Sequence, residues 1–352
     1  MLTGTDCIGK VAAIVLTYCL SCLSLGITAT AATPTPGYHL IKKIALGGSG
    51  RWDYLTLDSA ARRLYITREN RVVVMNVDTG QVVGEVKDTP GVHGVAIAPE
   101  LGRGFTSNGR LGTATIFDLK TLQVLAQVKT GLNPDAIVYD PFSKYVFTFN
   151  GESNNATVFD ARNAKVVGSI PLGGQPEFAV ADGLGQIYVN LESKNQVLTL
   201  DANSLKVKAQ LSLAPCSEPT GIAMDRQKRR LFIGCRNRLM AIVDAAKERL
   251  IATLPIGSGA DANAFDPETK LAFSSNGEGT LTVVREDSKN KFSIVNSVVT
   301  QRGARTMALD TKTHNVFLAT AQFAPTPTPK QSQLSIRPRL VPDSFVILVV
   351  GQ

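Results

Sequence analysis

An internal repeat constrains this chain more than any other feature. The phrases DSAARRLY, DPFSKYVF, DRQKRRLF, DPETKLAF and DTKTHNVF start at Asp58, Asp140, Asp225, Asp266 and Asp310, and looser copies start at Ala98 and Asp182. Successive starts are therefore 40, 42, 42, 43, 41 and 44 residues apart. A second phrase follows each first one by about half a period, as in VVVMNVD, ATIFDL, ATVFDA, VLTLDA and MAIVDA, and in the sixth copy, LTVVRE, its Asp is missing. Each unit reads as four short strands, two of them ended by an Asp-led turn. Seven such units of about 42 residues predict an all-β, seven-bladed β-propeller with four-stranded blades.

The last unit is one strand short, because SFVILVVGQ, which ends at Gln352, is its last run. The segment YHLIKKIALGG, from Tyr38 to Gly48, belongs to no unit and resembles the fourth strand of other blades. The ring is thus expected to close by pairing Tyr38–Leu46 with the C-terminal blade, which removes the open edges of the first and last blades. Residues 38–352 form the expected propeller. A proline-rich insertion at 324–343 stands where other blades have about five residues, as a solvated decoration or as a lid or partner-binding arm.

Upstream, Lys10, the apolar run Val11–Leu25 and the small residues Ala29 to Ala32 have the order of a secretory signal peptide. Residues 1–31 are read as that leader and 32–37 as a linker. A membrane anchor and a lipoprotein signal at Cys22 are the rival readings. Cleavage implies a periplasmic or secreted protein with no transmembrane span, and leaves Cys216 and Cys235 as the mature cysteines. In an oxidising compartment two cysteines suggest one disulfide, with two buried thiols as the other reading.

The formal charge is +8. Eighteen lysines and arginines, including Arg62, Arg103, Arg229 and Lys312, fall on turns assigned to one face of the disc. That face is either a solvated surface or a site for an anionic polymer, such as non-specifically bound nucleic acid. No aromatic interleaving marks it as a base-stacking platform. The repeating Asps are read as turn residues that accept backbone amide hydrogen bonds, not as catalytic groups.

On the opposite face, the residue five places before each first-phrase anchor begins the innermost strand. Around the ring these are Asp53, His93, Asp135, Glu177, Thr220, Asp261 and Arg305, a polar side chain in every blade. Radial geometry brings them to the mouth of the central channel. Trp52, Glu218, Arg110 and Arg236 flank them. Such a set suits a polar small molecule or a hard divalent cation such as calcium on Asp53, Asp135, Glu177 and Asp261, although a water-filled mouth needs solvated residues anyway. With only three histidines, His39, His93 and His314, a zinc site built on several imidazoles is excluded. No phosphate loop, haem attachment or nucleophile elbow occurs.

The phrases GRWDYLTLD, VHGVAIAPELGRGFTSNGR, NPDAIVYDP, QPEFAVADG, EPTGIAMD and ARTMALD resemble the bacterial YncE-like family of YVTN-repeat propellers over essentially the whole mature chain. The resemblance implies an exported seven-bladed propeller with a binding or scaffolding role toward a polar or anionic ligand or a protein partner, and carries no catalytic residue across. Broader relatives include surface-layer proteins, the propeller of nitrous oxide reductase and lactonase-type enzymes. A cation-dependent hydrolase of the lactonase type, with His93 as general base, is therefore the alternative. The chain is expected to be a monomer.

Overall fold

Seven four-stranded antiparallel sheets follow one another in chain order in the computed structural model, which describes residues 37–325 and 338–352. The expected leader, most of the linker and much of the proline-rich insertion lie outside the described residues. The innermost strands pack in sequence around the ring, and the last, Thr306–Leu309, meets the first, Trp52–Asp58. The architecture is a seven-bladed β-propeller. Among the described residues no helix is long and apolar enough to cross a membrane.

Ring closure follows the expectation from the unpaired N-terminal segment. The strand His39–Ala45 pairs antiparallel with Val346–Gly351 and completes the blade formed by Thr306–Leu309 and Val316–Thr320. Tyr38, just ahead of it, sets its ring edge-on to Phe273 of blade six at 5.1 Å and donates its hydroxyl to the His314 carbonyl at 3.1 Å. Asn296 donates to the Tyr38 carbonyl at 2.8 Å. At the far end, buried Arg68 donates to the carbonyls of Ser49 (2.7 Å), Gly47 and Gly50, and its guanidinium lies 3.8 Å from the centre of the Phe345 ring. One side chain of blade one thereby ties the connecting loop to blade seven.

The Asp-led turns explain the repeat. Asp58, Asp140, Asp225, Asp266 and Asp310 each accept backbone amides two or three residues on, for example Ala61 N at 2.9 Å and Gln227 N at 2.9 Å. In the second phrase of blade one the turn acceptor is Asn76, not Asp78, which is held instead by Arg62 at 2.8 Å. In blade six the missing Asp has a consequence. With no side chain to start the turn, pairing runs on to Ser288↔Lys291, and both strands, Thr280–Ser288 and Lys291–Val299, reach nine residues.

The core lies between blades, where alternate residues of adjacent sheets interdigitate. Between blades three and four, for instance, Phe147, Val158 and Ile170 pack with Ile187, Leu198 and Leu200. Burial of such faces is what makes a blade stable only beside its neighbours.

Candidate functional site

A β-bulge opens each of the first six innermost strands and aims its polar residue. Pairing with the second strand breaks between Trp52 and Leu55, Val92 and Val95, Pro134 and Ala136, Pro176 and Ala179, Pro219 and Ile222, and Ala260 and Ala262. Those gaps hold Asp53, His93, Asp135, Glu177, Thr220 and Asp261. A bulge leaves extra residues out of the ladder and re-aims their side chains. The backbone groups it frees must find other partners. Small polar residues at the penultimate position of the second strand supply several of them: Thr67 Oγ1 accepts from Asp53 N at 3.1 Å, Ser107 Oγ accepts from Gly94 N at 3.0 Å, and Asn190 Nδ2 donates to the Thr220 carbonyl at 2.6 Å. The single Ser275 hydroxyl proton likewise goes to the carbonyl of Ala262 or of Arg305. These positioning residues were missed from sequence, although a buried Ser, Thr or Asn one place before a strand end was the visible signal.

Six of the seven ring residues line one cavity of about 750 Å³: Asp53, His93, Asp135, Glu177, Asp261 and Arg305. Trp52, Arg110 and Arg236 line it too, as expected of the flanking positions. Thr220 does not. Its side chain is fully buried and donates to the carbonyls of Ala260 (2.8 Å) or Gly234 (3.2 Å), because a short hydroxyl finds those acceptors before it can reach the channel. Glu218 borders an adjoining shallow depression, which shares Gln175 and Glu192 with the main cavity, and lies 3.8 Å from Arg236. Tyr54, packed on Phe178 at 4.4 Å, and Glu192 also belong to the main cavity wall.

Within the cavity most charges are paired. His93 Nδ1 lies 2.6 Å from Asp53 Oδ2 and 3.0 Å from Asp135 Oδ1. Arg305 Nε holds Asp261 Oδ2 at 2.6 Å, its NH2 group lies 3.7 Å from Asp53 Oδ1, and Arg236 Nε holds Glu192 Oε1 at 2.7 Å. Burial pulls the His93 pKa down, but the hydrogen bond to Asp53 and the charges of Asp135 and Asp53 outweigh it, so the imidazole titrates above its usual range. Burial raises Asp135 against the opposing pull of His93, and raises Asp261 to about 6 even with Arg305 beside it. Glu177 is pushed well above the carboxylate range, first by burial and then by Asp135, Asp261 and Glu192.

The four carboxylates expected to form a hard-cation ring do not converge as one. Among the described residues, the group with three ligand atoms within 4.8 Å is Asp53, His93 and Asp135. Arg305 occupies Asp261, and Glu177 stands outside that group. Calcium takes six to eight oxygens, so this set of two carboxylates and an imidazole does not fit it.

Cys216 and Cys235 are joined, with Cα atoms 5.8 Å apart and 19 residues of separation. Cys235 ends the second strand of blade five, where blades two, three and six carry buried Asn108, Asn150 and Asn276. Those asparagines each donate to threonines or an asparagine of the third strand, so the disulfide replaces a side-chain clasp at this one blade. On the opposite face, the arginines bridge blades more than they project. Arg62 reaches Asp310 at 2.7 Å, Arg103 the Ala161 carbonyl at 2.8 Å, Arg63 the Leu119 carbonyl and Arg229 Asp182 at 3.1 Å. Much of that face's positive charge is committed within the protein.

No protein-family model matches the chain, and no curated protein matches it. Among solved structures it is similar to a chain of the mitotic checkpoint complex, at 14% identity over 90% of this chain and 96% of that one, with a TM-score of 0.71. It is also similar to Kuenenia stuttgartiensis hydrazine synthase, at 17% identity over 67% of this chain and 96% of that one, with a TM-score of 0.49. At these identities the first likeness is one of fold, and a propeller fold hosts many functions.

Proposed function

We propose that this chain is an exported YncE-like propeller that works as a non-enzymatic binding protein and takes a polar small molecule in the channel-mouth cavity. The observation that carries this reading is a concave site of about 750 Å³ in which charged side chains converge while most of them neutralise one another in pairs. A prepaired site offers hydrogen-bond donors and acceptors in fixed places, as small-molecule pockets do. The non-enzymatic reading is supported by Asp261, which Arg305 holds at 2.6 Å and so withdraws from any shared cation. The hydrolase alternative needs Asp53, Asp135, Glu177 and Asp261 to converge on a cation. Among the described residues the three-donor group holds Asp53 and Asp135 with His93, and neither Glu177 nor Asp261. Export is supported by the leader-like N-terminus and by a disulfide, which suits an oxidising compartment.

The test is a thermal-shift screen of polar metabolites against the protein from residue 32 onward, with calorimetry on each compound that raises the melting temperature. At least one compound is expected to bind, and Arg305→Ala combined with Asp261→Asn to weaken it about tenfold or more, as removal of charge-assisted hydrogen bonds does. Chemical turnover of the bound compound, or binding indifferent to that pair of substitutions, would overturn the proposal. Sequencing of the secreted or periplasmic protein is expected to find Ala32 at the N-terminus; an intact Met1 would remove the export reading.

A further inference from the structure

We infer that the cavity seats a primary ammonium group of its ligand against the carboxylate of Glu177. This rests on the binding reading above and names the ligand's chemical class. Glu177 lies in the bulge of blade four, is only 8% exposed, and forms part of the cavity wall. Apart from Glu69, which is exposed, every other carboxylate lining the cavity has a cation: Asp53 and Asp135 share His93, Asp261 has Arg305, and Glu192 has Arg236. Among the described residues Glu177 has neither a salt-bridge partner nor a hydrogen-bond donor. A nearly buried carboxylate left this way costs free energy unless something entering the cavity serves it.

What enters should be a positively charged hydrogen-bond donor. Asp135, Asp261 and Glu192 surround Glu177 with negative charge, opposed by Arg236. A metal ion would need several ligand atoms close together, and Glu177 is not in the three-donor group of Asp53, His93 and Asp135. An ammonium needs one carboxylate at hydrogen-bond distance and has three N–H donors to share with looser acceptors. Trp52, Tyr54 and Phe323 offer apolar surface for an organic body elsewhere in the same cavity wall. A small amine or a short peptide fits these requirements, and a bare ion does not.

Proton release follows. Burial and the neighbouring acids favour the protonated form of Glu177 in the free protein, so an arriving ammonium that pairs with the carboxylate sends a proton to solvent. Affinity should therefore rise with pH until the amine itself loses its proton near ~10.

Calorimetry at about pH 7 in PIPES and in MOPS, with 1,4-diaminobutane, lysine, triglycine, N-acetyltriglycine and calcium chloride as probes, decides the matter. At least one free amine is expected to bind with release of about one proton, read from the difference in heat between the buffers. Glu177→Gln should weaken that binding about tenfold or more, and N-acetylation of triglycine should abolish any binding it has. Binding of no free amine, equal binding by the acetylated peptide, or unchanged affinity in Glu177→Gln would overturn the inference. Should that variant not fold, amine binding without proton release in the native protein overturns it equally. A cavity ligand without an amino group, lost on the Arg305→Ala/Asp261→Asn substitution, would refute the ammonium class and leave the binding function standing; the absence of any cavity ligand would remove both.

Discussion

Tyr38→Ala tests whether the N-terminal strand closes the ring. The Tyr38 ring is 4% exposed, edge-on to Phe273, and its hydroxyl reaches the carbonyl of His314, so one side chain joins the first strand to blades six and seven. Truncating a buried aromatic costs about 3–5 kcal/mol. With an unfolding entropy of ~2 cal/mol/K per residue over a domain of roughly 300 residues, that cost lowers the melting temperature by about 5–8 °C. Tyr38→Phe keeps the ring and loses one neutral hydrogen bond of about 1 kcal/mol, or roughly 1.5 °C. The hydroxyl adds a pH signature. Burial, and then Asp266, push it up to about 12, so its contribution is present below its ordinary value of ~10 and is lost as pH rises through 12. Melting followed by circular dichroism from neutral to alkaline pH should show the Phe variant falling less steeply than the native protein. Deleting residues 38–48 should abolish cooperative melting altogether. A Tyr38→Ala protein that melts within about 1 °C of the native one, together with a cooperative melt of the deletion, would refute closure by this strand.

Three further perturbations follow from the geometry. Arg68→Lys keeps the charge but loses the fork that reaches the 47–50 carbonyls and the Phe345 face; a loss of about 2 kcal/mol is expected in urea melts, and a change within error would show that the clasp is idle. Reducing Cys216–Cys235, or replacing both with Ser, should cost on the order of 3 kcal/mol for a closed loop of this length, with intact mass after alkylation reporting the bond; labelling of both thiols without reductant would contradict it. Against burial, which lowers it, Asp53 and Asp135 raise the His93 pKa, so its stabilisation is complete below its ordinary pKa of ~6.5 and fades as pH rises through the higher folded value. The melting-temperature difference between native protein and His93→Gln should therefore shrink as pH rises from about 6 to 8, and a difference constant with pH would refute the raised pKa.

The repeat spoke for the architecture because each blade is one supersecondary unit, and a carboxylate that starts a tight turn must recur wherever the turn recurs. Asp58, Asp140, Asp225, Asp266 and Asp310 therefore marked the blades, and the orphan segment after Tyr38 marked the closure. Radial position also followed from spacing, since the start of an innermost strand lies at the channel side of its blade. What spacing could not carry was how each side chain resolves its own charge. Thr220 stands at the same repeat position as Asp53 and Asp261, yet its hydroxyl turns to the Ala260 carbonyl. Asp261 looked like a cation ligand until Arg305, from the blade next to it, was found upon it. Glu177 looked like one carboxylate among four, and tertiary packing left it as the one without a partner. The periodic chain determined the blades, the ring and the polar mouth, because local turn chemistry and strand alternation act within a repeat. Only the tertiary structure decided which charges cancel and which are left for a ligand, because those pairings run between blades, across roughly 40 residues and more of sequence, where no local pattern records them.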